Sequence, residues 1–349
     1  MKKFIALILA VMMVMSVMAG CTESAANTPD TNVSETDVVE TAEPKYGQLQ
    51  VKDGKLCGED GKPVQLRGLS TSNLVYSQFR LNDGCIGTLA DDWGIDIFRL
   101  AMYTYEGHTG YPTHKEEVMG ILEPAIKVCQ DNNLYYIVDW HILYDGDPLM
   151  YKDEAVEFFS YISETYGDDP RLIYEICNEP NTEKTGYEVT WEDNIRPYAV
   201  EVIEAIREND PDNIIIIGSS TYSQDLDITA KNPIVGDNLM YTMHFYSGSH
   251  GDELRAKTKV ALDAGMAVFV TEWGMTDSSG AGKVFREETE EWIEFMDENS
   301  LSWCMWQYGS NVNEGTNVLA SYANMEGDWP EEEYRESGLY FREIMDRYQ

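Results

Sequence analysis

Two apolar runs of the 349-residue chain close on a carboxylate. Tyr174–Pro180 (YEICNEP) ends in Asn178, Glu179 and Pro180, and 268–274 (VFVTEWG) ends in Glu272, Trp273 and Gly274. A strand that is apolar along its length and then presents an acid delivers that acid to whatever lies beyond its end. Two such carboxylates facing one cleft can carry glycoside hydrolysis. One protonates the leaving oxygen, and the other attacks the sugar carbon or activates water. Taken singly, a strand-end glutamate reads equally well as a solvated loop residue or half of a local ion pair.

The elements that must position this pair follow from the spacing of apolar runs. Strand candidates fall at 64–69, 97–102, 135–141, 172–177, 214–218, 240–245, 268–272 and 302–306. They are continuous rather than alternating, as strands buried on both faces are. Between them, 115–131, 152–166, 192–208, 252–264 and 284–298 show helical periodicity; in 152–166 the stripe is Ala155, Val156, Phe159 and Ile162. Strand and helix alternate about eight times, which predicts a closed (β/α)8 TIM barrel of the α/β class. Asp53-Gly54 and Asp60-Gly61 turns in 48–63 predict an N-terminal β-hairpin closing the barrel's bottom.

In such a barrel the site forms at the C-terminal strand ends. The second strand carries Arg99 and ends at Met102-Tyr103-Thr104; the third ends at Asp139-Trp140-His141. The sixth ends at His244-Phe245-Tyr246 and the eighth at Trp306. The fourth and seventh, bearing Glu179 and Glu272, lie across the barrel from each other. They should bring the two carboxyl groups to about 5–5.5 Å, the spacing of a retaining glycosidase.

With these stretches in order, the chain resembles glycoside hydrolase family 5, closest to bacterial endo-β-1,4-glucanases. The resemblance spans Gln48 to Arg347 and rests on Phe98–Thr104 (FRLAMYT), Asp139–Leu143 (DWHIL), Ile173–Pro180 (IYEICNEP), His244–Tyr246 (HFY), Thr271–Gly274 (TEWG) and Leu301–Trp306 (LSWCMW). It implies Glu179 as acid/base and Glu272 as nucleophile, with β-glucan as substrate and no cofactor. Arg99 would keep Glu272 ionised, Tyr246 would touch it, and Asn178 would bind a 2-hydroxyl. His141 and His244 would orient sugar and carboxylates. Trp306 would floor the reacting ring, its alternative being barrel core, and Tyr103 would support the site.

The chain also departs from the family pattern. Ser72 and Tyr76 stand where relatives have His and Trp, Tyr222 replaces a typical tryptophan, and 307–315 lacks an expected lysine. These positions would touch flanking sugars, so mannan, xyloglucan and mixed-linkage glucan stay open as substrates. A surface lipoprotein that captures glycans without cleaving them is the rival from outside the enzyme class; an intact carboxylate pair argues against it.

The charge balance narrows the partners. With 25 basic and 62 acidic residues the net charge is −37, which repels nucleic acid and anionic membranes. Five scattered histidines and no HExxH give no metal site. Ser278–Lys283 (SSGAGK) lacks the spacing of a phosphate loop and reads as a flexible loop. Residues 1–21 read as a secretory leader whose Val17–Cys21 ending resembles a lipoprotein box, with Cys21 lipidated; an ordinary cleaved signal is the alternative. Residues 22–44 lack Lys, Arg and aromatics and read as a disordered acidic tether, leaving 45–349 as the catalytic domain. The expectation is a monomer on the bacterial cell surface, bound to the membrane only through lipid. The other five cysteines show no disulfide spacing, and Cys177 and Cys304 read as buried thiols.

Overall fold

The computed structural model describes residues 42–105 and 109–349. The expected leader, Cys21 and most of the expected tether lie outside the described residues. Contacts with the barrel begin slightly ahead of Lys45. Asn133 Nδ2 donates to the Glu43 carbonyl at 3.1 Å, and the Arg171 guanidinium donates to the Ala42 carbonyl.

β1 (Gln50–Lys52) and β2 (Lys55–Cys57) pair antiparallel across Asp53 and Gly54, at φ 52° and 71°. Both turn residues have the positive φ that a two-residue hairpin requires. The barrel strands are β3 (Arg67–Thr71), β4 (Ile97–Tyr103), β5 (Tyr135–His141), β6 (Leu172–Glu175), β7 (Ile214–Ile217), β8 (Leu239–Tyr246), β9 (Val268–Gly274) and β10 (Trp303–Tyr308). They form a closed parallel barrel in chain order, with β10 pairing back to β3. The expected eight-stranded fold is present, with the first barrel strand starting at Arg67 rather than at 64.

Helices Lys115–Asp131, Lys152–Tyr166, Asp252–Asp263 and Arg286–Asn299 match the periodic segments, and a π-helical turn, Trp191–Ile195, leads into helix Arg196–Arg207. Helix Asp83–Asp91 was not legible. Gly84 and Gly87 lower its intrinsic propensity. It forms because Asn82 Oδ1 accepts from the Cys85 N–H at 3.0 Å and Cys85, Ile86 and Leu89 are buried.

The lumen is built in levels. At the bottom, Leu49 and Leu56 from the hairpin region pack with Leu66, Ile97, Tyr135, Ile173, Ile214, Met240 and Phe269. The hairpin therefore plugs the barrel. Above this apolar level the inward side chains turn polar: Ser70, Arg99, Asp139, Glu175, Thr242 and Thr271 are all fully buried. Outward-facing residues such as Phe98, Leu100, Trp140 and Tyr174 pack against the helices.

β9 departs from strict alternation. While β8 advances from Thr242 to His244, β9 advances from Phe269 to Glu272. While β10 advances from Trp303 to Met305, β9 advances from Val270 to Trp273. Both neighbours thus register one extra residue in 270–272. A bulge of this kind re-aims side chains, and here it turns both Thr271 and Glu272 toward the lumen.

β3 approaches β4 closely at Gly68, which pairs with Ile97. A Cβ on Gly68 would lie 1.7 Å from the Ile97 carbonyl oxygen. Gly68→Ala is therefore expected to cost about 2 kcal/mol or more, as forced overpacking does. Urea unfolding measures this; an unshifted midpoint would show that the strands have room to spare.

Candidate active site

Arg99, at 0% exposure, is the hub of the polar level. Its Nε and Nη2 donate to Glu175 Oε2 and Oε1 at 2.7 and 3.1 Å. Nη1 donates to Glu272 Oε2 at 3.2 Å, and Nη2 lies 2.9 Å from Asp139 Oδ2. Nη2 also donates to Asn178 Oδ1 at 2.6 Å. Three carboxylates from β5, β6 and β9 thus share one guanidinium. A planar fork with five donors is suited to this, as a lysine is not. Burial pushes Glu175 upward, but the Arg99 charge and the His244 contact outweigh it and hold it down to about 2. Burial raises Asp139 well above the usual carboxylate range, with Arg99 opposing and Glu175 and Glu272 adding to the rise.

Glu272 is held by a second donor, the Tyr246 hydroxyl, at 2.8 Å to Oε1. Its two oxygens are therefore oriented by β4 and β8. Glu179 is held by His244, whose Nδ1 lies 2.9 Å from Glu179 Oε1. His244 Nε2 lies 2.9 Å from Thr271 Oγ1, and Thr271 donates onward to Glu175 Oε1 at 2.7 Å. Burial alone would lower His244, yet the contacts with Glu175 and Glu179 raise it to about 9. Both its nitrogens then carry protons. His141 differs: burial and then Arg99 hold it down to about 3, so it is neutral. Asn178 Oδ1 accepts from Arg99, so its Nδ2 donates to His141 Nε2 at 3.3 Å and the imidazole proton sits on Nδ1, 2.6 Å from Asp139 Oδ2.

The residues named from sequence lie either on the cleft surface or directly beneath it. Glu179, Glu272, Tyr103, His141, Tyr246, Trp306, Tyr76 and Tyr222 line a cleft of ≈ 1020 Å³, a large opening by the measure of small-molecule sites, about 300–1,000 Å³. Arg99, Asn178 and His244 lie beneath it. Asn178 is fully buried, and its Nδ2 also donates to the Ile142 carbonyl at 3.0 Å. Trp306 lies parallel to the His141 ring (5.5 Å, 15°), which itself stacks on Tyr103 (4.1 Å). That stack offers a flat apolar surface beside the carboxylates. Ser278–Gly280 sits on the cleft wall as part of an irregular loop.

Glu175, Asp139 and Thr271 had no role assigned from sequence. Their signal was a polar side chain inside an otherwise apolar strand. Among the described residues, Glu179, His244 and Glu272 alone form a donor group compact enough to hold a cation, all within 4.8 Å of one another. The same distance puts a carboxylate oxygen of Glu179 near one of Glu272. The five cysteines among the described residues are buried free thiols, Cys177 and Cys304 included.

This proton arrangement makes stability depend on pH in both directions. His244 keeps its proton to about 9, whereas an ordinary imidazole loses it near ~6.5. Its contribution is complete below ~6.5 and is lost as pH rises through about 9. Glu175, held to about 2, contributes above the usual carboxylate range of ~4.3 and loses that as pH falls toward 2. His141 adds to the acid side, since the unfolded chain takes up a proton below ~6.5 that the folded chain refuses until about 3. Thermal midpoints measured from about pH 4 to about pH 10 should peak near neutrality. His244→Asn should flatten the alkaline limb; an unchanged limb would place the proton elsewhere.

Residues 57–312 match the profile of Cellulase (glycosyl hydrolase family 5). The chain is 48% identical over 287 residues to Endoglucanase A of Evansella cellulosilytica, covering 81% of this chain and 56% of that protein. It is 42% identical over 300 residues to an endoglucanase of Clostridium saccharobutylicum, covering 85% and 64%. The chain thus spans less than two thirds of these relatives' length. Among solved structures, "Cellulase Cel5C_n" superimposes with TM-score 0.82 at 41% identity, covering 87% of this chain and 94% of that one. The catalytic domain of a Thermobifida fusca endoglucanase in complex with cellotetraose superimposes with TM-score 0.80 at 34% identity, covering 86% and 98%. With its barrel, its paired strand-end glutamates and these likenesses, the chain belongs to glycosyl hydrolase family 5.

Proposed function

We propose that the chain is a retaining endo-β-1,4-glucanase that cleaves cellulose-like β-glucan. The observation that carries this is the closeness of Glu179 and Glu272, with oxygens within 4.8 Å. Carboxyl groups about 5–5.5 Å apart mark a retaining enzyme and about 6.5–9.5 Å an inverting one, and oxygens this near support the shorter spacing. Relatives named as endoglucanases and a similar structure in complex with cellotetraose support the substrate class.

Glu272 attacks the anomeric carbon, steered by Arg99 and Tyr246, and forms a covalent glycosyl-enzyme. Glu179 gives its proton to the leaving oxygen as that bond breaks. It then takes a proton from water, which displaces Glu272. Two inversions give net retention. His244 fixes the Glu179 carboxyl, and Trp306 supports the reacting ring. A protein that only captured glycans would need the aromatic stack but not a guanidinium shared by three buried carboxylates.

Proton NMR of the first-formed sugar tests the mechanism; retention predicts the β-anomer, and an α-anomer before mutarotation would sink it. Glu272→Ala should lose on the order of 10⁴-fold or more in kcat on every substrate. Glu179→Ala should spare the first step for substrates whose leaving group needs no proton. Because one glutamate must be protonated while the other is ionised, the rate should fall on both sides of an optimum. A panel including mannan, xyloglucan and mixed-linkage glucan identifies the preferred polymer.

We also propose that the enzyme is held at the bacterial surface through lipidated Cys21 and works as a monomer. The support is the leader ending Val17–Cys21 and the acidic stretch that follows. Cys21→Ser should move activity from the membrane fraction to the soluble fraction; activity that stays with the membrane would overturn the anchor.

A further inference from the structure

Three loops build one wall of the cleft. Tyr144 comes from the loop after β5, Glu183 and Lys184 from the loop after β6, and Tyr222 from the loop after β7. One carboxylate joins them. The Tyr222 hydroxyl donates to Glu183 Oε2 at 2.7 Å. Lys184 Nζ lies 3.2 Å from Glu183 Oε1 and 5.3 Å from the centre of the Tyr144 ring. Glu183 thus connects, directly and through Lys184, two tyrosines of the same wall.

The backbone beneath Tyr222 is unusual. Thr221, Tyr222 and Ser223 are consecutive non-glycine residues at φ 55°, 58° and 57°. Such left-handed runs persist only where surrounding contacts determine them. Here the Tyr222 N–H donates to the Pro180 carbonyl at 3.0 Å, and the Ser223 hydroxyl donates to the Asn178 carbonyl at 2.6 Å. Those two acceptors flank Glu179 in the chain. The turn that presents Tyr222 is therefore stitched to the segment that carries Glu179. With the backbone fixed, the ring retains only its side-chain rotations, and the bond to Glu183 restricts those.

We propose that Glu183 is a positioning residue for the leaving-group side of the cleft, acting through Tyr222 on the sugar that departs. The inference rests on Glu179 being the acid. An acid that protonates the leaving oxygen has the departing sugar beside it, and the turn bearing Tyr222 is bonded to the carbonyls on either side of Glu179. A tyrosine ring held at a set tilt by Glu183 offers a flat apolar face to a pyranose ring. An exposed ion pair contributes little to folding. Its value here is in ordering a wall against which substrate packs.

The test compares kcat/KM on cellotetraose with kcat/KM on an aryl cellobioside, which places no sugar on the leaving side. In Glu183→Ala and in Tyr222→Phe the cellotetraose-to-aryl ratio should fall roughly two- to tenfold, the size of one lost hydrogen bond. The double variant should fall no further than either single one, since both changes remove the same contact. Glu183→Gln, which can still accept from the tyrosine, should recover most of the ratio. An unchanged ratio, additive losses in the double variant, or equal losses on both substrates would overturn the inference while leaving the hydrolase intact. A wild-type chain that cleaves neither substrate would overturn the hydrolase reading and this inference with it.

Discussion

A single buried guanidinium sets the terms for the upper barrel. Removing an arginine from water is costly, and only close, well-aligned carboxylates repay it. Arg99 finds three of them, delivered by three different strands. The arrangement works in the other direction as well. Without Arg99, the acidic side chains of Asp139, Glu175 and Glu272 would be packed together with no guanidinium to share. Strand order, register and the polar level of the barrel are therefore tied to one side chain. It has no route to the cleft and acts only by placing groups that do.

The two glutamates at the cleft are given different neighbours by this scheme. Glu272 receives donors only, from Arg99 and Tyr246. Glu179 faces a histidine that belongs to a chain of hydrogen bonds running through Thr271 to Glu175. The two carboxyl groups are thus anchored from different strands, Glu272 by side chains of β4 and β8 and Glu179 by a β8 histidine that is itself braced from β9 and β6.

The fold was legible because parallel barrel strands are buried on both faces and so appear as unbroken apolar runs. The strand-end residues followed from that, since the site of such a barrel lies at one end. Asp83–Asp91 escaped because its glycines hide a helix that capping and burial supply. Glu175 escaped for a different reason. In Leu172–Glu175 it occupies the one inward position above Ile173, yet a lone acid inside an apolar strand carries no indication of its partner 76 residues away in sequence. Glu183 was illegible in principle. Its partner Tyr222 reaches it through a left-handed turn that no residue in Thr221–Ser223 advertises, for none of them is glycine.

The extra residue in β9 has an effect best described as a change of reading frame. A pleated strand shows every second side chain to the lumen, so a regular β9 that pointed Thr271 inward would turn Glu272 out among the helices. The bulge shifts the count by one, and two adjacent letters are read on the same face. One of them, Thr271, completes the relay to His244; the other, Glu272, meets Arg99. The hydrogen-bond chain behind Glu179 and the Arg99 contact of Glu272 thus descend from neighbouring positions of one strand. A lineage that lost this single residue could present Thr271 or Glu272 to the lumen but not both, although every strand of the barrel remained.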